Sequence, residues 1–118
     1  MFDWSEYYLL AKSLAGQDDE ASQRSAVSRA YYAAFCSARN QLRQEGESIP
    51  NTGKAHEVVW DHYQNNPEKR RRQIGQQGKR LRRKRNRADY DDEIVNLDHV
   101  VRDAMETADS LLSLLRSL

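Results

Sequence analysis

The 118 residues are 38% hydrophobic with five glycines and two prolines, a balance that argues against a disordered chain and against an all-β fold, and no apolar run reaches membrane-span length. A lone cysteine, Cys36, permits neither an intrachain disulfide nor a cysteine zinc cluster and points to a reducing compartment, most simply the cytoplasm. The net charge of +1 conceals a segregation: residues 68–88 hold eleven bases against the single acid Glu68, so the rest of the chain is acidic.

A first helix is expected from about Asp3 to Ala15, with Asp3 as its N-cap, Trp4, Tyr7, Tyr8, Ala11 and Leu14 at helical spacing, and Gly16 as its stop. The opening residues Met1-Phe2-Asp3-Trp4-Ser5-Glu6 lack the basic stretch of a secretory signal. A long second helix begins near Asp18 or Asp19, whose carboxylates suit the positive end of a helix dipole, and ends at Gly46. Its stripe is Val27, Tyr31, Ala34, Ala38 and Leu42, and its alanines leave room for a close neighbour. Gly46 to Gly53 reads as a loop, since Pro50 disfavours helix at Ile49.

A third helix fits Lys54 to about Gln64, with Ala55, Val58, Val59 and Tyr63 inward. Pro67 suits the first position of the fourth, which Gly75 and Gly78 should bend or divide before it ends near Asp89. The last helix starts after Asn96, a good N-cap, and repeats Leu97, Val101, Ala104, Ala108, Leu111, Leu115 and Leu118. That stripe fits a seam within a bundle or between two copies. The expected fold is all-α, a bundle of four or five helices, with residues 1–118 as one domain.

At about 100° per residue, Ile74, Gly78, Leu81, Arg85, Ala88 and Asp92 share one face, so Arg85 points inward. Arg82, Arg83, Lys84 and Arg87 point elsewhere, toward solvent. An inward arginine needs a partner or a ligand, because an unpaired buried charge is costly. An ion pair with Asp89 or with an acid of another helix meets that need; so does an anionic ligand. The basic strip has the same two interpretations, as a nucleic-acid contact or as a solvated lining beside the chain's own acids. Tyr31, Tyr32 and Arg29 read as core aromatics and a surface charge. His56 and His62 are six apart, not four, no glycine-rich phosphate loop occurs, and Cys36 has no histidine nearby in sequence. No metal, cofactor or thiol chemistry is expected.

Three stretches resemble the HEPN family of small helical domains. Ser28-Arg29-Ala30-Tyr31-Tyr32-Ala33-Ala34-Phe35 is similar to the family's tyrosine-pair segment. Gly53-Lys54-Ala55-His56-Glu57-Val58-Val59 lies where a histidine commonly opens the third helix, and Arg85-x-x-Ala88-Asp89-Tyr90-Asp91 resembles the signature of one HEPN branch. Their order and spacing span nearly the whole chain. The resemblance implies an antiparallel helical bundle, often a homodimer with its site at the subunit junction. It implies one of two roles. One is an RNA-interacting protein, in many members a metal-independent endoribonuclease toxin of a toxin–antitoxin or defence system. The other is a non-catalytic binding partner of a nucleotidyltransferase or other enzyme.

In the first role the resemblance makes Arg85, Asn86, Asp89 and Tyr90 the catalytic set. Arg85 holds a phosphate, Asn86 hydrogen-bonds beside it, and Asp89 or Tyr90 orients the arginine or the ligand. Lys79, Arg80, Arg82, Arg83 and Arg87 add backbone affinity, with Tyr31, Tyr32 and His56 in support. The nuclease pattern departs at one position: five after Arg85 stands Tyr90, where that branch has a histidine. Histidine exchanges protons near pH 7, whereas unperturbed tyrosine (about 10) and aspartate (about 4) are poor bases there. His56 is the imidazole that another helix could bring.

Overall fold

Five α-helices and no strand make up the fold, described over residues 1–118 in a computed structural model: α1 (Glu6–Ala15), α2 (Glu20–Gln44), α3 (Ala55–Gln64), α4 (Lys69–Tyr90) and α5 (Leu97–Arg116). α2 is the axis of the bundle and packs against all four other helices. Ala26, Ala30, Ala33, Ala34 and Ala38 are fully buried along it, and their small side chains let the neighbours approach closely. Asp19 caps α2 by accepting from Ser22 N at 2.9 Å. At the other end Gly46 adopts φ +92°, and Glu47 N reaches back to Leu42 O at 3.0 Å. That left-handed turn closes the helix as the sequence suggests.

Two helix starts and one cap differ from expectation, while α5 begins after Asn96 as expected. α1 begins at Glu6, because Asp3 Oδ1 accepts from Ser5 N and Ser5 Oγ and so closes a turn ahead of the helix. α4 begins at Lys69, which leaves Pro67 outside it. Asn96 precedes α5 in the left-handed region (φ 58°, ψ 47°) and makes no side-chain cap, so backbone tolerance rather than capping is its use there.

The fourth segment is one continuous helix through both glycines. A Cβ on Gly75 would overlap the Gln64 backbone, and one on Gly78 would overlap the Trp60 ring. The glycines are notches that seat α3, and the burial of Trp60 against Gly78, worth about 1.5–3 kcal/mol for a large apolar side chain, exceeds that glycine's helix penalty of about 1 kcal/mol. Trp60 is fully buried, while Val58, expected inward, is 38% exposed. The α5 stripe is a seam of the bundle: Val101, Ala104, Ala108, Leu111 and Leu115 are buried within the chain, where α5 packs mainly on α2 and α4. A cluster of 23 buried residues draws on all five helices. No helix is long and apolar enough to cross a membrane.

Candidate functional site

Helical phase on α4 sets the site. Arg85 follows Leu81 by four residues and precedes Ala88 by three, and all three are buried, Arg85 to 7% exposure. Its guanidinium lies over the rings of Tyr31 (5.0 Å to the centroid) and Tyr32 (5.4 Å) of α2. The ring faces offset part of its charge. Asp89 Oδ2 stands 3.7 Å from Arg85 Nη1, beyond hydrogen-bond distance. Ser28 Oγ donates to the same oxygen at 3.3 Å. Arg85 Nε is buried without a partner, so a guanidinium with five N–H donors is held close to one carboxylate yet bonded to none.

A second group approaches the tyrosine pair from α3. His56 Nδ1 is 2.6 Å from Tyr31 Oη, which also accepts from Trp60 Nε1 at 3.0 Å. Phe35 stacks on the imidazole at 4.1 Å between centroids. Burial, and then the charges of Arg82 and Arg85, hold His56 down to about 4, so its ring is neutral at physiological pH. Burial likewise pushes Tyr31 up to about 12.

Of the expected catalytic set, Arg85 and Asp89 face each other. Asn86 is exposed, and Tyr90, about 140° around the helix from Arg85, is 75% exposed as the last residue of α4. The basic strip divides. Lys79 pairs with Asp61 of α3 at 2.5 Å, Arg80 and Lys84 with Asp103 of α5 at 2.5 and 2.8 Å, and Arg87 with Asp91 at 3.8 Å. Arg82 and Arg83 have no carboxylate partner. Arg82, expected in solvent, is partly buried, and its Nε is unpartnered like that of Arg85. A cleft of about 280 Å³ opens beside it, lined by Glu57, Trp60, Asp61, Lys79, Arg82 and Arg83. Arg85 itself lines none of the four surface clefts.

Two residues that sequence reasoning passed over hold this arrangement. Arg24 of α2 reaches the C-terminal end of α4, donating from Nη1 to Ala88 O (3.2 Å) and Asp91 O (2.5 Å) and from Nη2 to Asp92 O (3.2 Å). A cation at those unpaired carbonyls fixes the turn that carries Asp89. The only local signal was the Glu20–Arg24 pair at i, i+4, which the structure keeps at 2.9 Å. Trp60 is the other, and its place between Val59 and Tyr63 on the inner face of α3 was the available cue.

Comparison with protein families matches residues 11–118 to the HEPN domain. No curated protein and no solved structure matches the chain.

Proposed function

The chain belongs to the HEPN domain family, and on that premise we propose that it is an RNA-interacting protein in which Arg85 holds a backbone phosphate. Membership of the family goes with RNA-related or nucleotidyltransferase-associated functions. The observation that favours RNA is the unfilled guanidinium: Arg85 is 7% exposed, has an unpartnered Nε, and has one carboxylate no nearer than 3.7 Å. A buried arginine kept for the fold alone would have its donors satisfied. A phosphate supplies both the charge and the acceptors, in a geometry that suits a guanidinium fork. Arg82 and Arg83 add positive field beside it. The ion pairs of Lys79, Arg80 and Arg87 are at least partly exposed, and such pairs, worth about 0–1 kcal/mol, can exchange a carboxylate for RNA phosphate.

The proposed unit is residues 1–118 as one domain, acting in the cytoplasm as a homodimer. Arg85 reaches no cleft of the single chain, and exposed Asn86 and Tyr90 project from the same end of α4. A second copy docking there would complete a site around them. Cleavage would make the protein a metal-independent endoribonuclease toxin of a toxin–antitoxin or defence system, with Asp89 and Tyr90 beside Arg85. The neutral His56, with Nδ1 engaged by Tyr31, favours binding over a proton-exchanging role for the imidazole.

One observation favours a second role. The acids of α3 and α5 already pair much of the basic strip, and Asp89 lies one turn from Arg85. In that role the protein is a non-catalytic partner of a nucleotidyltransferase, an antitoxin or another enzyme, and Arg85–Asp89 is a structural or interfacial ion pair.

Incubating purified protein with RNA in chelator separates the two. Saturable binding that is lost in folded Arg85→Ala and falls steeply with salt supports the RNA role, and cleavage lost in the same variant extends it to a nuclease. Wild type and variant that are equally inert toward RNA while both stay folded leave the partner role.

A further inference from the structure

Trp60, Tyr31 and His56 form a chain of hydrogen bonds with one direction. An indole N–H can only donate, so Tyr31 Oη accepts from Trp60 Nε1 at 3.0 Å. Tyr31 is fully buried, and its own hydroxyl hydrogen has one acceptor in reach, His56 Nδ1 at 2.6 Å. Were Nδ1 protonated instead, the Tyr31 oxygen would face two donors and its hydrogen would be buried without an acceptor, which buried hydroxyls avoid. Nδ1 is therefore bare and the imidazole proton sits on Nε2.

The helices packed on α3 are α2 and α4. Tyr31 and Tyr32 of the first lie against the imidazole, Arg85 of the second lies over that tyrosine pair, and the charges that act on the ring are those of Arg82 and Arg85, with no carboxylate among them. Phe35 stacks on the ring with planes 15° apart and fixes its orientation. Nothing in the chain accepts from Nε2, and the side chain is partly exposed.

We infer that His56 is a second anion-binding residue of the Arg85 site, offering a fixed, uncharged Nε2–H to a phosphodiester oxygen, with Tyr31 and Trp60 as its positioning residues. This rests on Arg85 being a phosphate-holding residue. The groups offered are donors alone, Nε2–H and the guanidinium of Arg85, which suits an anion, while the one bare nitrogen, Nδ1, is taken up by the Tyr31 hydroxyl.

Long-range proton–nitrogen correlation spectra of the full chain at pH 7 read the tautomer. The expected result is a protonated Nε2 and a bare Nδ1 in wild type, changing to a mixture of tautomers in Tyr31→Phe. A protonated Nδ1, or an imidazolium, in wild type overturns the inference. The binding arm uses a short oligouridylate and variants whose folding is checked by circular dichroism. His56→Phe keeps a flat ring but no donor and should bind roughly tenfold more weakly, with partial recovery in His56→Gln. If Arg85→Ala loses binding while His56→Phe equals wild type, the role of His56 fails and that of Arg85 stands. If both variants equal wild type, the Arg85 site fails with it.

Discussion

Asp89 stands one helical turn beyond Arg85, 3.7 Å from its guanidinium, close enough to offset charge and too far to hydrogen-bond it. An arginine so poorly satisfied contributes little to the fold. Removing one partner of a buried ion pair costs about 3–5 kcal/mol where the pair is well made and the other charge is left buried, but Asp89 is partly exposed and keeps its bond from Ser28 Oγ. Arg85→Met is therefore expected to leave the urea midpoint unchanged or raised. A loss of several kcal/mol would show that Arg85 is part of the scaffold.

Gly78 and Gly75 should each resist replacement by alanine. The exchange gains about 1 kcal/mol of helix propensity, but the added Cβ collides with Trp60 or with the Gln64 backbone. Overpacking of this kind costs about 1–3 kcal/mol, so a net destabilisation of up to about 2 kcal/mol is expected in equilibrium denaturation. Stabilised alanine variants would mean that α3 and α4 lie farther apart.

Arg24→Ala removes three charge-assisted hydrogen bonds from the end of α4. The expected loss is about 1–3 kcal/mol, concentrated locally. Amide exchange should accelerate in the last turn of α4, around Ala88 to Asp91, while the amides of Ile74 to Leu81 stay protected. Uniform acceleration along α4 would contradict a clamp at its end.

His56 gives a pH dependence with a definite sign. Its folded value of about 4 lies below the ordinary 6.5, because burial and then Arg82 and Arg85 oppose its charge. Above 6.5 the ring is neutral in both folded and unfolded chains. As pH falls from 6.5 toward 4, the unfolded chain binds a proton that the folded chain refuses, so stability declines across that window and the contribution levels off below it. The difference in thermal midpoint between wild type and His56→Phe, taken at several pH values, isolates this from the carboxylates. A difference that stays constant between pH 7 and pH 4 would rule the depressed value out.

Periodicity made much of this legible. The α2 stripe, the stop at Gly46 and the inward phase of Arg85 follow from spacing within one helix, and each appears where that spacing puts it. What escaped depends on a neighbour. Gly75 and Gly78 look like breaks until Trp60 and Gln64 of α3 are seen to fill the space they leave. Arg82 looks solvated until its Nε is found buried beside a cleft that α3 also lines, and Arg24 looks like half of a local ion pair until the end of α4 meets it. Charge counting showed a basic segment but not its pairing with Asp61 and Asp103, which lie far apart in sequence. Those acids neutralise the middle of α4 and leave Arg82 and Arg83 without a carboxylate beside Arg85.

The decisive comparison is equilibrium binding of a short single-stranded RNA to wild type and Arg85→Met at low salt, with thermal midpoints measured on the same samples. Loss of one phosphate-holding arginine should weaken binding by about tenfold or more, the scale of a charge-assisted bond, while the variant melts no lower than wild type. Equal affinity in the two proteins, or a wild type that binds no RNA, would contradict a phosphate site at Arg85.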